Sequence, residues 1–282
     1  MRIRFWGVRG TIPTPGPDTV RYGGNTACLD ILTSNKHVII LDAGTGIRAL
    51  GERIKQEHSR KVEATILLSH THWDHIQGLP FFAPLQSRKN RFKLIGQKRI
   101  NMHLERILSR QFLAPYLPFA YTSLSAGLNV SEVEDGETIF IDDHTSVKVA
   151  KLNHPGGCLG FRIQDHDAIL TYCTDTGWVR DGFDESVLEL AGGADLLVHD
   201  SFFTNTEEAK TFAEWGHSSW LEAVKLADAA NANTLGLFHY APDLTDNELE
   251  KMRDNARGVF PRTFLTREGM ILQLPIGNDL PE

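Results

Sequence analysis

The stretch Ser69–Pro80, SHTHWDHIQGLP, sets three histidines and an aspartate within six consecutive positions. It follows the apolar run VEATILL, which reads as a buried strand, and leads into IQGLPFFAPLQ, which reads as a short helix and turn. A solvated loop has no need of His70, His72, Asp74 and His75 together, and a packed core would struggle to satisfy them. In an extended stretch alternate side chains share a face, so His70 and His72 can grip one ion. Asp74 and His75 come as the chain turns into the helix, which re-aims them towards a neighbouring position. Imidazole with carboxylate suits zinc, with manganese or iron as alternatives.

Partners for this cluster stand at other strand ends. His154 closes SVKVAKLNH, Asp175 closes AILTYCTD and His239 closes TLGLFH. Each is followed by a turn bearing Gly or Pro (HPGG, DTG, HYAP). Strand ends of a layered fold lie along one edge, so these three can converge on the cluster although far apart in sequence. The seven residues together are too many for one tetrahedral ion and suit two metals sharing a carboxylate.

The remaining chain supplies the frame. MRIRFWGV alternates as a strand and then meets the Gly/Pro-rich front loop RGTIPTPGPDTVRYGGN. ACLDILT and HVIILDAG read as a hairpin across SNK, residues 46–57 as a helix and RFKLIG as a strand. From Lys98 to Arg110 the spacing of Ile100, Leu104, Ile107 and Leu108 predicts a helix. Phe112–Phe119, FLAPYLPF, then reads as a hydrophobic lid or pocket wall, a homodimer contact or plain packing. GCLGFRIQ and ADLLVHDS are further strands, SSWLEAVKLADAANA a helix, and TDNELEKMRDNAR a last helix with Thr245 and Glu248 in capping-box spacing. Without repeats or linkers, this order predicts one α/β domain over residues 1–282, its two sheets covered by helices on both outer faces.

Bulk properties narrow the function. An apolar fraction of 41% is enough for a sizeable core. The formal net charge of −7 argues against a long nucleic-acid partner and leaves room for a small anionic ligand held by metal. No apolar run approaches the ~18 residues of a membrane span, and the N-terminus lacks the apolar core of a signal peptide. Cys28, Cys158 and Cys173 form no C-x-x-C pair, which suits reduced thiols and a cytoplasmic setting.

The H-x-H-x-D-H motif after a buried strand, with His, Asp and His on later strand ends, resembles the metallo-β-lactamase superfamily. The resemblance runs from LDAG at Leu41–Gly44 to His239. It implies an αββα sandwich of two mixed sheets and two divalent metal ions. His70, His72 and His154 would hold the first, Asp74, His75 and His239 the second, and Asp175 would bridge. LLVHDSFF and WGHSSWLEAVKLA resemble the phosphodiesterase branch in which ribonuclease Z sits. There Asp200 stands in place of a glutamate, and His217 is a histidine near the leaving group.

His154 and Asp175 are 21 positions apart, so the arm that ribonuclease Z inserts between these ligands is missing. The compact spacing is closer to phosphodiesterases of small cyclic phosphates, with a cyclic nucleotide among the candidate substrates. The mechanism implied is attack by a metal-bridging hydroxide on phosphorus, with Asp74 among the catalytic residues. His217, oriented by Asp200, would protonate the leaving oxygen. A glyoxalase II-like thioesterase and a non-catalytic metal-holding module are the alternatives, and a lactamase is a weaker one. Arg9, Arg21 and Asn25 of the front loop read as solvated or turn-stabilising residues, and His199 as buried structure. His37, His58, His103, His144 and His166 fall on polar segments and read as exposed.

Overall fold

The structure, a computed structural model, describes residues 1–57, 61–180, 182–277 and 280–281. His58 lies outside the described residues. The first part of the chain supplies β1 (Arg2–Gly7), β2 (Cys28–Leu32), β3 (Val38–Leu41), β4 (Glu63–Leu67), β5 (Arg91–Gln97) and β6 (Gly127–Val133). The second part supplies β7 (Thr138–Phe140), β8 (Thr145–Leu152), β9 (Cys158–Asp165) and β10 (Ala168–Cys173). It continues with β11 (Leu196–Asp200), β12 (Leu235–Phe238), β13 (Thr263–Leu265) and β14 (Ile271–Gln273). The helices are α1 (Ile47–Glu57), α2 (Trp73–Ile76), α3 (Leu104–Arg110), α4 (Glu185–Ala191), α5 (Thr206–Thr211), α6 (Trp220–Ala229) and α7 (Asp246–Val259).

Two seven-stranded sheets form, in the orders β14-β1-β2-β3-β4-β5-β6 and β13-β12-β11-β10-β9-β8-β7. Each is mixed: β3 to β6 and β10 to β13 pair in parallel, while the neighbouring hairpins are antiparallel. Burial on both faces explains the unbroken apolar runs of the parallel strands. Ile39 and Leu41 of β3 point into the core shared by the sheets, while Ile40 packs outward with Ile47, Leu50 and Ile54 of α1. Ala223, Val224 and Ala227 of α6 and Leu249 and Met252 of α7 cover the other sheet. The expected αββα sandwich is therefore what the chain forms.

Two expectations shift. The helix after β5 starts at Leu104, not Lys98, and Ile100 is fully exposed. The Leu104 N–H donates to Glu132 Oε1 of β6 at 2.6 Å, and this tertiary cap sets the start that periodicity alone misplaced. His37 is half-buried, with Nε2 2.9 Å from Thr65 Oγ1, whereas His103, His144 and His166 are exposed as expected.

For the site, strand direction is what matters. Asp42 and Ser69–His70 follow the C-terminal ends of β3 and β4, and Asp175, Asp200 and His239 stand at those of β10, β11 and β12. His154 follows β8, which runs the same way as β10 because both are antiparallel to β9. In open α/β sheets this edge is where ligands bind.

Candidate metal centre

The seven residues converge at this edge. The donor atoms of His70, His72, His154 and Asp175 lie within 4.8 Å of one another, as do those of Asp74, His75 and His239. Asp175 faces both groups: Oδ1 is 3.7 Å from the Nε2 atoms of His70 and His154, and Oδ2 is 3.1 Å from His75 Nε2 and 3.3 Å from His239 Nε2. His72 is exposed and the other six are buried.

Proton positions follow from acceptors that have no proton to give. His154 Nδ1 donates to the Gly216 carbonyl at 2.9 Å, leaving its Nε2 lone pair 3.1 Å from His72 Nδ1. His75 Nδ1 donates to Asp42 Oδ2 at 2.8 Å, which turns its Nε2 lone pair towards Asp74 and Asp175. Ser69 Oγ donates to Asp42 and can accept from His70 Nδ1 at 3.1 Å. His70 Nε2 is then buried with no hydrogen-bond partner. Lone pairs aimed at carboxylates and at one another repel, and a cation between them removes the repulsion. The donor set thus fits divalent metal ions.

Charge points the same way. Burial works against an imidazolium at His75, yet Asp175, Asp74 and Asp42 outweigh it and push its pKa well up. Burial, opposed by Asp175, holds His70, His72 and His154 below the ordinary range and therefore neutral. Three carboxylates around one imidazole are a demand for positive charge.

The backbone is bent to build this arrangement. Asp42, Asp175 and His239 have φ of 59°, 51° and 61°, a left-handed conformation that costs roughly 1–3 kcal/mol each in a non-glycine residue. The front loop locks the second group. Thr11 N–H donates to Asp74 Oδ2 at 2.8 Å, and a Cβ on Gly10 would come within 2.5 Å of the His239 ring. Arg9 is fully buried and donates to the carbonyls of Gly23, Ala241 and Leu244, tying that loop to the chain just after His239. Arg21 pairs with Glu250 and Asn25 bonds Glu268, so all three front-loop residues are structural.

Beside the second group, His217 Nδ1 donates to Asp200 Oδ2 at 2.7 Å. Asp200 also accepts from the backbone N–H groups of Asp175, Phe202 and Ser218. Burial opposes a charge on His217, but Asp200 outweighs it and raises the pKa. The ring lies flat on Phe202, 4.5 Å away at 13°. His199 is buried and turned away, donating to the Asp200 carbonyl at 2.7 Å. Phe112 packs on Phe119 and Tyr121, and no residue of FLAPYLPF lines the groove above the centre.

Sequence reasoning gave no role to Asp42, Ser69, Gly10 or Thr11. Asp42 did carry a signal, because IILDAG ends an apolar strand in an acidic residue just as AILTYCTD does.

The beta-lactamase superfamily domain matches residues 37–240. The chain belongs to this superfamily. Its relatives include ribonuclease Z of Prochlorococcus marinus, 25% identical over 95% of this chain and 98% of that protein. Ribonuclease Z of Treponema denticola is 24% identical over 86% and 91%. The metallo-beta-lactamase fold protein YhfI of Bacillus subtilis shares the fold with a TM-score of 0.72, at 19% identity over 96% of this chain and 99% of that one. Human tRNase Z, short form, gives 0.69 at 18% identity, over 98% and 100%.

These relatives place the chain in the ribonuclease Z-like branch of the superfamily. They also correct one expectation. The net charge and the short His154–Asp175 interval had pointed to a small diester and away from long nucleic acid. Relatives matched over nearly the whole chain are instead named for RNA. The inference failed because net charge averages over the whole surface, while a substrate meets only the local field.

Proposed function

We propose that the chain is a two-metal phosphodiester hydrolase, with RNA the first substrate to test. The observation that carries this reading is Asp175, whose two oxygens each face a separate group of ligand atoms. His70, His72 and His154 would hold one ion and Asp74, His75 and His239 the other, with zinc first and manganese next. When bound, such a pair lowers the pKa of a water and polarises a phosphoryl oxygen.

The protein's own groups do the rest. Asp74 and Asp175 orient the centre, and Thr11 holds Asp74 in place. His217 keeps a proton on Nε2 for the leaving oxygen, and Asp200 fixes the ring through Nδ1. The three buried free cysteines support a reducing, cytoplasmic setting.

The test is turnover by the metal-loaded protein of an RNA, a generic nitrophenyl diester, a glutathione thioester and a lactam. Hydrolysis of the two diesters alone is expected. Preference for the thioester would overturn the assignment.

A further inference from the structure

Above the centre lies a groove of about 1150 Å³, lined by His72, Asp74, His154 and Asp175 and by a set of aromatic rings. The rings form a continuous wall that starts at His217. Phe202 lies under the His217 ring, Phe203 faces Phe212 at 17°, and Phe212 meets Trp215 at 4.6 Å and 31°. Trp215 is 50% exposed and Phe212 37%, whereas Phe202 and Phe203 are buried, so the exposed part of the wall is at Trp215 and Phe212.

Electrostatics sharpens the picture. Among the described residues lining the groove there is no lysine or arginine, but besides Asp74 and Asp175 of the centre there are four carboxylates. Glu208 is engaged by Thr204 and Glu248 caps α7. Glu214 and Asp243 are exposed and make no hydrogen bond or ion pair among the described residues.

Resting on the phosphodiesterase reading, we propose that this wall is a stacking subsite for one amine-bearing nucleobase on a terminal nucleoside that carries no further phosphate. A base offers a π-face worth about 1–3 kcal/mol on an aromatic side chain. Its exocyclic amino group can donate to Glu214 or Asp243. A second phosphate there would meet those free carboxylates with no cation between them, a like-charge contact that works against binding. Phe203, Phe212 and Trp215 lie within 17–33° of one another, with Phe202 edge-on to Phe203 at 76°, a row of rings not set around a point, which suits a flat base better than an ammonium group. Because the wall begins at His217, the nucleoside it holds is the leaving one. The rest of a longer strand lies across the scissile bond.

Two measurements test this. Ligand-observed NMR on the metal-loaded protein should show saturation transfer to adenosine but not to ribose or choline. Trp215→Ala should weaken adenosine binding at least tenfold. Trp215→Leu, which keeps apolar volume without the π-face, should do the same. Choline binding without adenosine binding, or adenosine binding indifferent to both variants, overturns the subsite.

In turnover, an oligoribonucleotide with free hydroxyls at both ends should lose its end nucleoside. A phosphate placed on that nucleoside should slow the release at least tenfold, and Glu214→Gln with Asp243→Asn should restore much of it. Equal rates with and without the phosphate overturn the electrostatic part. Adenosine binding lost in the Trp215 variants, with no diester hydrolysed by the wild type, would instead uphold the subsite and remove the hydrolase reading.

Discussion

Asp42→Asn is the sharpest test of how the centre is held. Asp42 Oδ1 accepts from Ser69 N at 2.8 Å, and Oδ2 accepts from Tyr172 Oη and His75 Nδ1, each at 2.8 Å. Ser69 Oγ reaches both oxygens. An asparagine has one accepting oxygen and an amino group that donates. With its oxygen towards His75, the amino group faces the Ser69 N–H. Turned over, it faces the Tyr172 hydroxyl and the His75 Nδ1–H. Either way a buried donor loses its acceptor, which costs about 1–3 kcal/mol. For a chain of this size that is a fall of roughly 2–12 °C in the Tm of the metal-free protein.

The metal effect should be separable from the loss of stability. Asp42 orients His75 directly and His70 through Ser69, so both groups of ligands lose their anchor. Outer partners of this kind are worth about 10–100-fold in metal affinity. Competition with a chromophoric chelator should show both ions weakened by that factor. Tyr172→Phe, which deletes one donor and leaves the carboxylate, should lower Tm slightly and spare the affinity. A D42N protein that holds two ions at wild-type affinity would refute the account of Asp42.

Asp175→Ala should lose metal at both positions and with it all hydrolysis, as read by elemental analysis; retention of one tightly held ion would show that Asp175 serves only one. Gly10→Ala forces a methyl against the His239 ring and should empty the second position before the first, which titration with a metal-sensitive dye resolves. His217→Ala should slow an alkyl diester by about 10²–10⁴-fold but a nitrophenyl diester far less, because only the alkoxide needs a proton to leave. Equal losses on both substrates would make His217 a binding residue. Asp200 raises the His217 pKa, so the protonated fraction is lost as pH rises through that raised value. In Asp200→Asn the largest opposition to burial is gone and only Asp175 and Asp74 remain against it, so the descending alkaline limb of kcat/KM for the alkyl diester should move to lower pH.

Much of the frame is legible in the residues because the parallel strands β3, β4 and β12 are buried on both faces. HVIILDAG, VEATILLSH and TLGLFHY each show an apolar run ended by a polar residue, and each proves to be β3, β4 or β12 with its last residue at the edge. β6 is harder to see: GLNVSEV is an edge strand, only partly buried, and carries no clean alternation. β7, β13 and β14 are only three residues long, too short for a clear period; β7 forms a hairpin with β8, while β14 takes its place from a strand distant in sequence, as when Arg2 pairs with Gln273. α4 begins at a capping aspartate, Asp184, within a segment too short to show a helical period. Local pattern finds elements that bury themselves fully, and tertiary pairing decides the rest.

The site was legible for a similar reason, and its misreading is instructive. Composition counts every carboxylate alike, so the formal charge of −7 seemed to speak against RNA. Yet Asp42, Asp74, Asp175 and Asp200 are buried and turned on histidines, where they call for cations and do not meet substrate as bare charge. With two divalent ions in place, the same residues sit beneath a centre that attracts a phosphodiester. Only carboxylates left unpaired in the groove act on substrate as negative charge, and Glu214 and Asp243 are among its lining residues. What the acidic composition excludes is therefore not a nucleic acid but a second phosphate in one place, beside Trp215.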